Sequence, residues 1–204
     1  GKFGDTTVGA YWNVEVIDQQ RVAEVPDLQR VIVAVDPSGS GDTDNAGNDA
    51  VGICVVGLGV DGRGYLLEDL TLKAGPRVWG TVAVEAYHRH QADLIVAEKN
   101  FGGEMVKHVL KTAGPSVPCR LVTASRGKVV RAAPISALTE QGKVRFAGHF
   151  PELEEELCSM TMNGYMGENS PNRADACVWG MSELFPGIVA DRQRKKVDMG
   201  KVNV

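Results

Sequence analysis

The run VIVAVD at residues 31–36, followed by Pro37, constrains this chain more than any other stretch. An unbroken apolar segment, β-branched except at Ala34 and without polar alternation, reads as a strand covered on both faces. The fold must therefore hold a sheet between two layers. The run ends on a carboxylate, and proline, with no N–H to donate, stops the ladder there. A charge at the end of a doubly covered strand is costly unless it is paired or bound to a cation. The same residues that predict a buried strand also raise the question of what Asp36 meets.

The rest of the chain supplies the layers. A loop rich in Gly, Ser, Asp and Asn runs from Ser38 to Asn48, AVGICVVG follows as a second apolar strand, and GYLLEDL alternates beyond the turn GLGVDGRG, so a hairpin is expected. Gly75-Pro76 opens a helix in which Trp79, Val82, Ala83, Ala86 and Tyr87 recur at helical spacing. DLIVAE is a further strand, GGEMVKHVLKTAG a helix closed by Gly114, and CRLVTA another strand. The helical stretch from Lys128 to Gln141 contains Pro134, which should end or kink it. KVRFAG fits an edge strand, and FPELEEELCSM and NRADACVWGMSELF fit two more helices, the last with Ala174, Cys177, Val178, Met181 and Leu184 on one stripe. Three strands and then alternating helices and strands predict an α/β fold with a mixed sheet. Residues 1–29 read as an incoming linker outside the core, 30–186 as the domain and 187–204 as a basic, flexible tail.

Composition narrows the function classes. At 204 residues the chain holds one core, and no apolar run is long enough for a membrane span, so a soluble, intracellular protein is expected. A net charge of −4 argues against holding nucleic acid by bulk electrostatics, so any such role must be local. Cys54, Cys119, Cys158 and Cys177 lack ligand spacing and read as reduced packing residues; the four histidines suggest no zinc site or triad. No GxxxxGK[ST] phosphate loop occurs.

Three acids stand in unusual places: Asp36 and Glu98 each end an apolar strand, and Asp175 lies in the first turns of the last helix. Converging carboxylates can hold two divalent cations for phosphodiester hydrolysis, and oxygen ligands favour Mg²⁺ or Mn²⁺ over zinc. Each acid also has a plainer role. Asp36 can start a turn before proline, Glu98 can pair with Lys99 or an arginine, and Asp175 can belong to a helix start capped by Ser170 or Asn172. Asp49 opens the second strand and can join the site or be solvated; Asp42 and Asp44 read as solvated. Arg120, Arg126, Lys128 and Arg131 cluster near the fifth strand's end, where they either contact phosphates or form a solvated helix start.

Taken in order, VIVAVDPSGSG, NDAVGICVVG, LIVAEKNFGGEMV, KVVRAAPISALTEQGKVRFAG with FPELEEEL, and NRADACVWGMSEL resemble the C-terminal nuclease domain of the large terminase subunits of tailed double-stranded DNA phages. The resemblance extends from about Trp12 to Leu184. It implies a ribonuclease H-like mixed sheet of five to six strands with helices on both faces. It also implies a metal-dependent endonuclease that cuts concatemeric viral DNA during packaging, with Asp36, Glu98 and Asp175 as the acidic triad on two Mg²⁺ or Mn²⁺ ions. Asn172 stands where some relatives carry a histidine. The implied partners are double-stranded DNA, an ATPase domain of the same full-length protein joined through residues 1–29, the portal protein and the small terminase subunit. The implied setting is the host cytoplasm, and transiently the procapsid portal. A junction resolvase-like nuclease of the same fold and a non-catalytic docking module are the competing readings.

Overall fold

The computed structural model describes residues 7–37, 50–99 and 103–188. Asp42, Asp44, Asp49, the loop from Ser38 and the tail beyond Ile188 lie outside the described residues. In chain order the elements are α1 (Val14–Gln19), β1 (Leu28–Asp36), β2 (Ala50–Gly59), β3 (Gly64–Asp69), β4 (Leu72–Lys73), α2 (Pro76–Arg89) and β5 (Leu94–Glu98). There follow α3 (Gly103–Ala113), β6 (Cys119–Val122), α4 (Lys128–Glu140), β7 (Val144–Phe146), α5 (Pro151–Cys158), β8 (Met160–Thr161), β9 (Gly164–Tyr165) and α6 (Asn172–Leu184).

Six strands run across the main sheet in the order β6-β5-β1-β2-β3-β7, and the two-residue β4 pairs with β2 as a seventh. β1, β2 and β3 are antiparallel neighbours, β5 and β6 run parallel to β1, and β7 closes the far edge parallel to β3. The mixed sheet and both hairpin partners match the reading of the sequence. β1 is buried from Val31 to Asp36, as its unbroken apolar run requires.

Strand alternation then decides which residues meet which helices. Val31, Val33, Val35, Ile53 and Val55 pack with Trp79, Ala83, Val106 and Leu110 of α2 and α3. Ile32, Cys54, Val56 and Val96 pack with Ile135, Leu153, Ala174, Val178 and Met181 of α4, α5 and α6. Asp36 shares the parity of Ile32, and Glu98 that of Val96. Both acids are thereby sent to the face covered by α6.

The helix lies close to the sheet because glycine lets it. Gly180 faces Val56 and Ala34, and a Cβ at Gly52 would run into the Asn172 carbonyl. Gly52 is the β2 partner of Asp36, so the closest approach of α6 falls beside that carboxylate.

Two expectations need correction. Residues 1–29 are not a linker lying wholly outside the core: Trp12 and Ile17 are buried in the cluster under α4–α6. The Trp12 indole donates to Thr139 Oγ1 at 3.0 Å, and Tyr11 N donates to the Met160 carbonyl at 2.8 Å. The mixed composition hid one large aromatic anchor and one aliphatic one. Pro134, in turn, does not end α4, which runs unbroken from Lys128 to Glu140. The bond it forfeits is to the carbonyl of Val130, an exposed residue, and packing of Ile135 and Leu138 holds the helix together.

Trp12→Ala should lower unfolding free energy by about 3–5 kcal/mol, read from the urea midpoint. A cost below about 1 kcal/mol would return this segment to the status of a linker.

Candidate functional site

Asp36 and Glu98 stand on adjacent parallel strands, one residue past the paired Val35 and Ala97. Asp175 comes to them in the first turn of α6. All three are buried. Burial first, then the charges of Asp175 and Glu98, push the Asp36 carboxyl well above the usual carboxylate range. Burial also raises Asp175, against the pull of Lys128 and Arg131.

Two cations from α4 answer this negative charge. Lys128 Nζ ion-pairs with Asp175 Oδ2. Burial works to lower the Lys128 pKa, but Asp175, Asp36 and Glu98 outweigh it and the net shift is upward. Arg131 lies 3.8 Å from Glu98 Oε1, with its guanidinium 4.2 Å above the centre of the Trp179 ring. Of the basic residues singled out in the sequence, these two reach the acids. Arg120 is instead tied to Glu183, which also takes Arg30 at 2.9 Å, toward the other end of α6. Arg126 is exposed.

The carboxylates do not form a closed cage as they stand: among the described residues no three His, Cys, Asp or Glu side chains gather as ligands around one point. Lys128 is paired with one of the three acids, Asp175. The donors nonetheless suit a hard divalent ion. All are carboxylate oxygens, and Asp36 Oδ2 is buried with no hydrogen-bond partner.

The start of α6 differs from the expected cap. Neither Ser170 nor Asn172 caps it; Pro171 is the N-cap, without a side-chain bond, and Glu156 Oε2 on α5 accepts from Ala174 N at 2.9 Å. Asn172 donates through Nδ2 to the Ala50 carbonyl at 2.8 Å, fastening the helix start to the start of β2. Glu156 and Trp179 were missed by sequence reasoning. Trp179 had a legible signal, since Asp175, Trp179 and Glu183 recur every four residues and form a second, polar stripe beside the apolar one. Glu156 had none, because its partner is a backbone N–H on a different element.

Two stability effects follow. Asp36→Asn keeps the shape and removes one of the crowded carboxyl groups, so in EDTA it should raise Tm by roughly 2–6 °C at neutral pH. A lowered Tm in calorimetry would refute the crowding. Burial also lifts Glu156 from 4.5 to about 7, against the Ala174 N–H, which pulls it down. A carboxyl raised in the fold binds its proton more tightly there than in the unfolded chain. Its contribution is therefore complete below about 4.5 and is lost as pH rises to about 7. Glu156→Gln should flatten this part of the curve of stability against pH; a slope equal to the parent's between those pH values would show that Glu156 does not supply it.

Comparison with known proteins gives the same architecture. Among solved structures, the large terminase nuclease of phage G20c with bound cobalt superposes with a TM-score of 0.63 at 12% identity, covering 87% of this chain and 98% of that one. The nuclease domain of the large terminase of bacterial virus Sf6, with manganese and beta-thujaplicinol, gives 0.60 at 16% identity, covering 84% and 98%. The large terminase of bacteriophage HK97 gives 0.64 at 13% identity and 87% coverage of this chain, which spans only 44% of that protein. No curated protein matches. The family described as the terminase RNaseH-like domain matches residues 33–184, a span that runs from β1 to the end of α6 and holds all three acids, and the chain belongs to that family.

Proposed function

We propose that this domain is a divalent-metal-dependent endonuclease that cuts concatemeric viral double-stranded DNA during genome packaging, with Asp36, Glu98 and Asp175 as its metal ligands. The observation that carries this reading is that three buried carboxylates from β1, β5 and α6 lie near enough to raise one another's charge cost in a terminase-family fold. The manganese and cobalt bound to the Sf6 and G20c relatives support a divalent cation. Mg²⁺ or Mn²⁺, as two ions, fits the oxygen donors best.

A pair of such ions supplies an activated water and a counter-charge for the leaving oxygen. The protein's own part is to hold and release charge. Asp36, whose carboxyl is held toward its protonated form by burial and its acidic neighbours, gives up its proton on loading, and Lys128 withdraws from Asp175 into solvent, which its half-exposed side chain allows. Loading should therefore strengthen as pH rises. Once free of Asp175, the Lys128 ammonium stands at the rim, where a DNA phosphate would meet it. Asn172 and Gly52 keep Asp175 at a fixed height above β2.

Double-stranded DNA is the substrate in this reading, and the HK97 relative's greater length fits an ATPase domain in the same polypeptide. The portal protein and small terminase subunit complete the expected assembly, which works in the host cytoplasm and docks at the procapsid portal.

Nicking of supercoiled plasmid tests the assignment. Mn²⁺ or Mg²⁺ should support it, EDTA should stop it, and Asp36→Asn or Asp175→Asn should each lower the rate by about 100-fold. Cleavage that persists in EDTA, or that survives both substitutions, would overturn it.

A further inference from the structure

The sequence placed Arg131 among possible phosphate contacts, and its surroundings argue for another task. The side chain is only 10% exposed, and its Nε and Nη1 atoms are buried without hydrogen-bond partners. A guanidinium in that state cannot reach a DNA phosphate without leaving its place. Its Cζ sits over the Trp179 ring, 4.2 Å from the centre, and the side chain approaches Glu98 Oε1 at 3.8 Å.

We propose that Arg131, held by the Trp179 ring, is a positioning residue that fixes the Glu98 carboxylate for divalent-ion binding. The inference rests on the metal-site reading above. Its logic is geometric. Glu98 is the longest and most flexible of the three acids, with one more rotatable bond than the two aspartates, and it ends β5 with Lys99 as its next neighbour in the chain. A carboxylate of that reach needs an outside restraint if it is to wait in one place. The aromatic face restrains the guanidinium, because a planar cation over an indole has few alternative seats. The guanidinium then restrains Glu98. Trp179 stands one turn beyond Asp175 on α6, so the same helix that carries one acid also fixes the holder of another. The spacing between the acids is thus set by a single rigid element.

Charge alone predicts the opposite effect from positioning, which makes the idea decidable. A permanent cation beside the site repels an incoming ion, so if Arg131 acted only through its charge, removing it would tighten metal binding. If it orients a ligand, removing it should weaken binding, as loss of outer partners of metal ligands commonly does by about 10–100-fold.

The experiment is titration of the DNA-free protein with Mn²⁺, following free ion by electron paramagnetic resonance, with circular dichroism confirming the fold of each variant. Arg131→Gln should raise the Mn²⁺ Kd by about 10-fold. Trp179→Leu, which changes no charge, should do the same, and Trp179→Phe, which keeps a ring under the guanidinium, should stay within about 2-fold of the parent. Unchanged or tighter binding in folded Arg131→Gln, or parental binding in Trp179→Leu, would overturn the positioning role while leaving the metal site intact. A parent protein that binds no Mn²⁺ would overturn the metal-site reading itself, and this inference with it.

Discussion

The structure is organised around the burial of three carboxyl groups beneath one helix. Two like charges about 4 Å apart repel by about 4 kcal/mol at the effective dielectric typical of protein sites. A whole domain is stable by only about 5–15 kcal/mol. Three bare carboxylates at the covered end of β1 and β5 would therefore consume much of the margin. The fold answers by holding Asp36 toward its protonated form and by setting an ammonium on Asp175 and a guanidinium near Glu98. Both cations come from α4, and both depend on α4 and α6 lying where they do.

That placement depends on side chains that are absent as well as on those that are present. α6 sits low over β1 and β2 because Gly180 leaves room for Val56 and Ala34, and Gly52 leaves room for the Asn172 carbonyl. The contact at Gly52 is backbone against side-chain space, so it cannot be relieved by a rotamer change. Asn172 then adds a directional bond to the Ala50 carbonyl within the same turn. Steric fit sets the height of the helix, and the amide sets its register. Asp175, three residues on, inherits both.

Much of this was legible in the residues. The β-branched run at 31–36 announced a doubly covered strand, and the period of two, carried through to Asp36 and Glu98, put both acids on one face. Asp175 was legible through motif resemblance more than through local chemistry, since its turn resembled an ordinary helix start. What remained hidden were relations between distant elements. Trp12 seals the bottom of α4 from a segment whose composition suggested a tether, Arg120 turns away to Glu183, and Glu156 serves a backbone N–H on the next helix. Period and propensity describe a residue against its chain neighbours, and none of these partners is a neighbour in the chain.

The two cations of α4 show how an acidic site can be both stable and open. Lys128 and Arg131 lie three residues apart, hence on one helical face, yet their side chains differ in kind. The ammonium is a compact charge on a flexible stem, and with 44% of its side chain exposed it can exchange its carboxylate for water. The guanidinium, 10% exposed and seated on an indole, has no such exit. Two lysines would leave Glu98 without a fixed partner, and two arginines would hold Asp175 as firmly as they hold Glu98. One of each neutralises the acids for folding and still leaves Asp175 free to change partners.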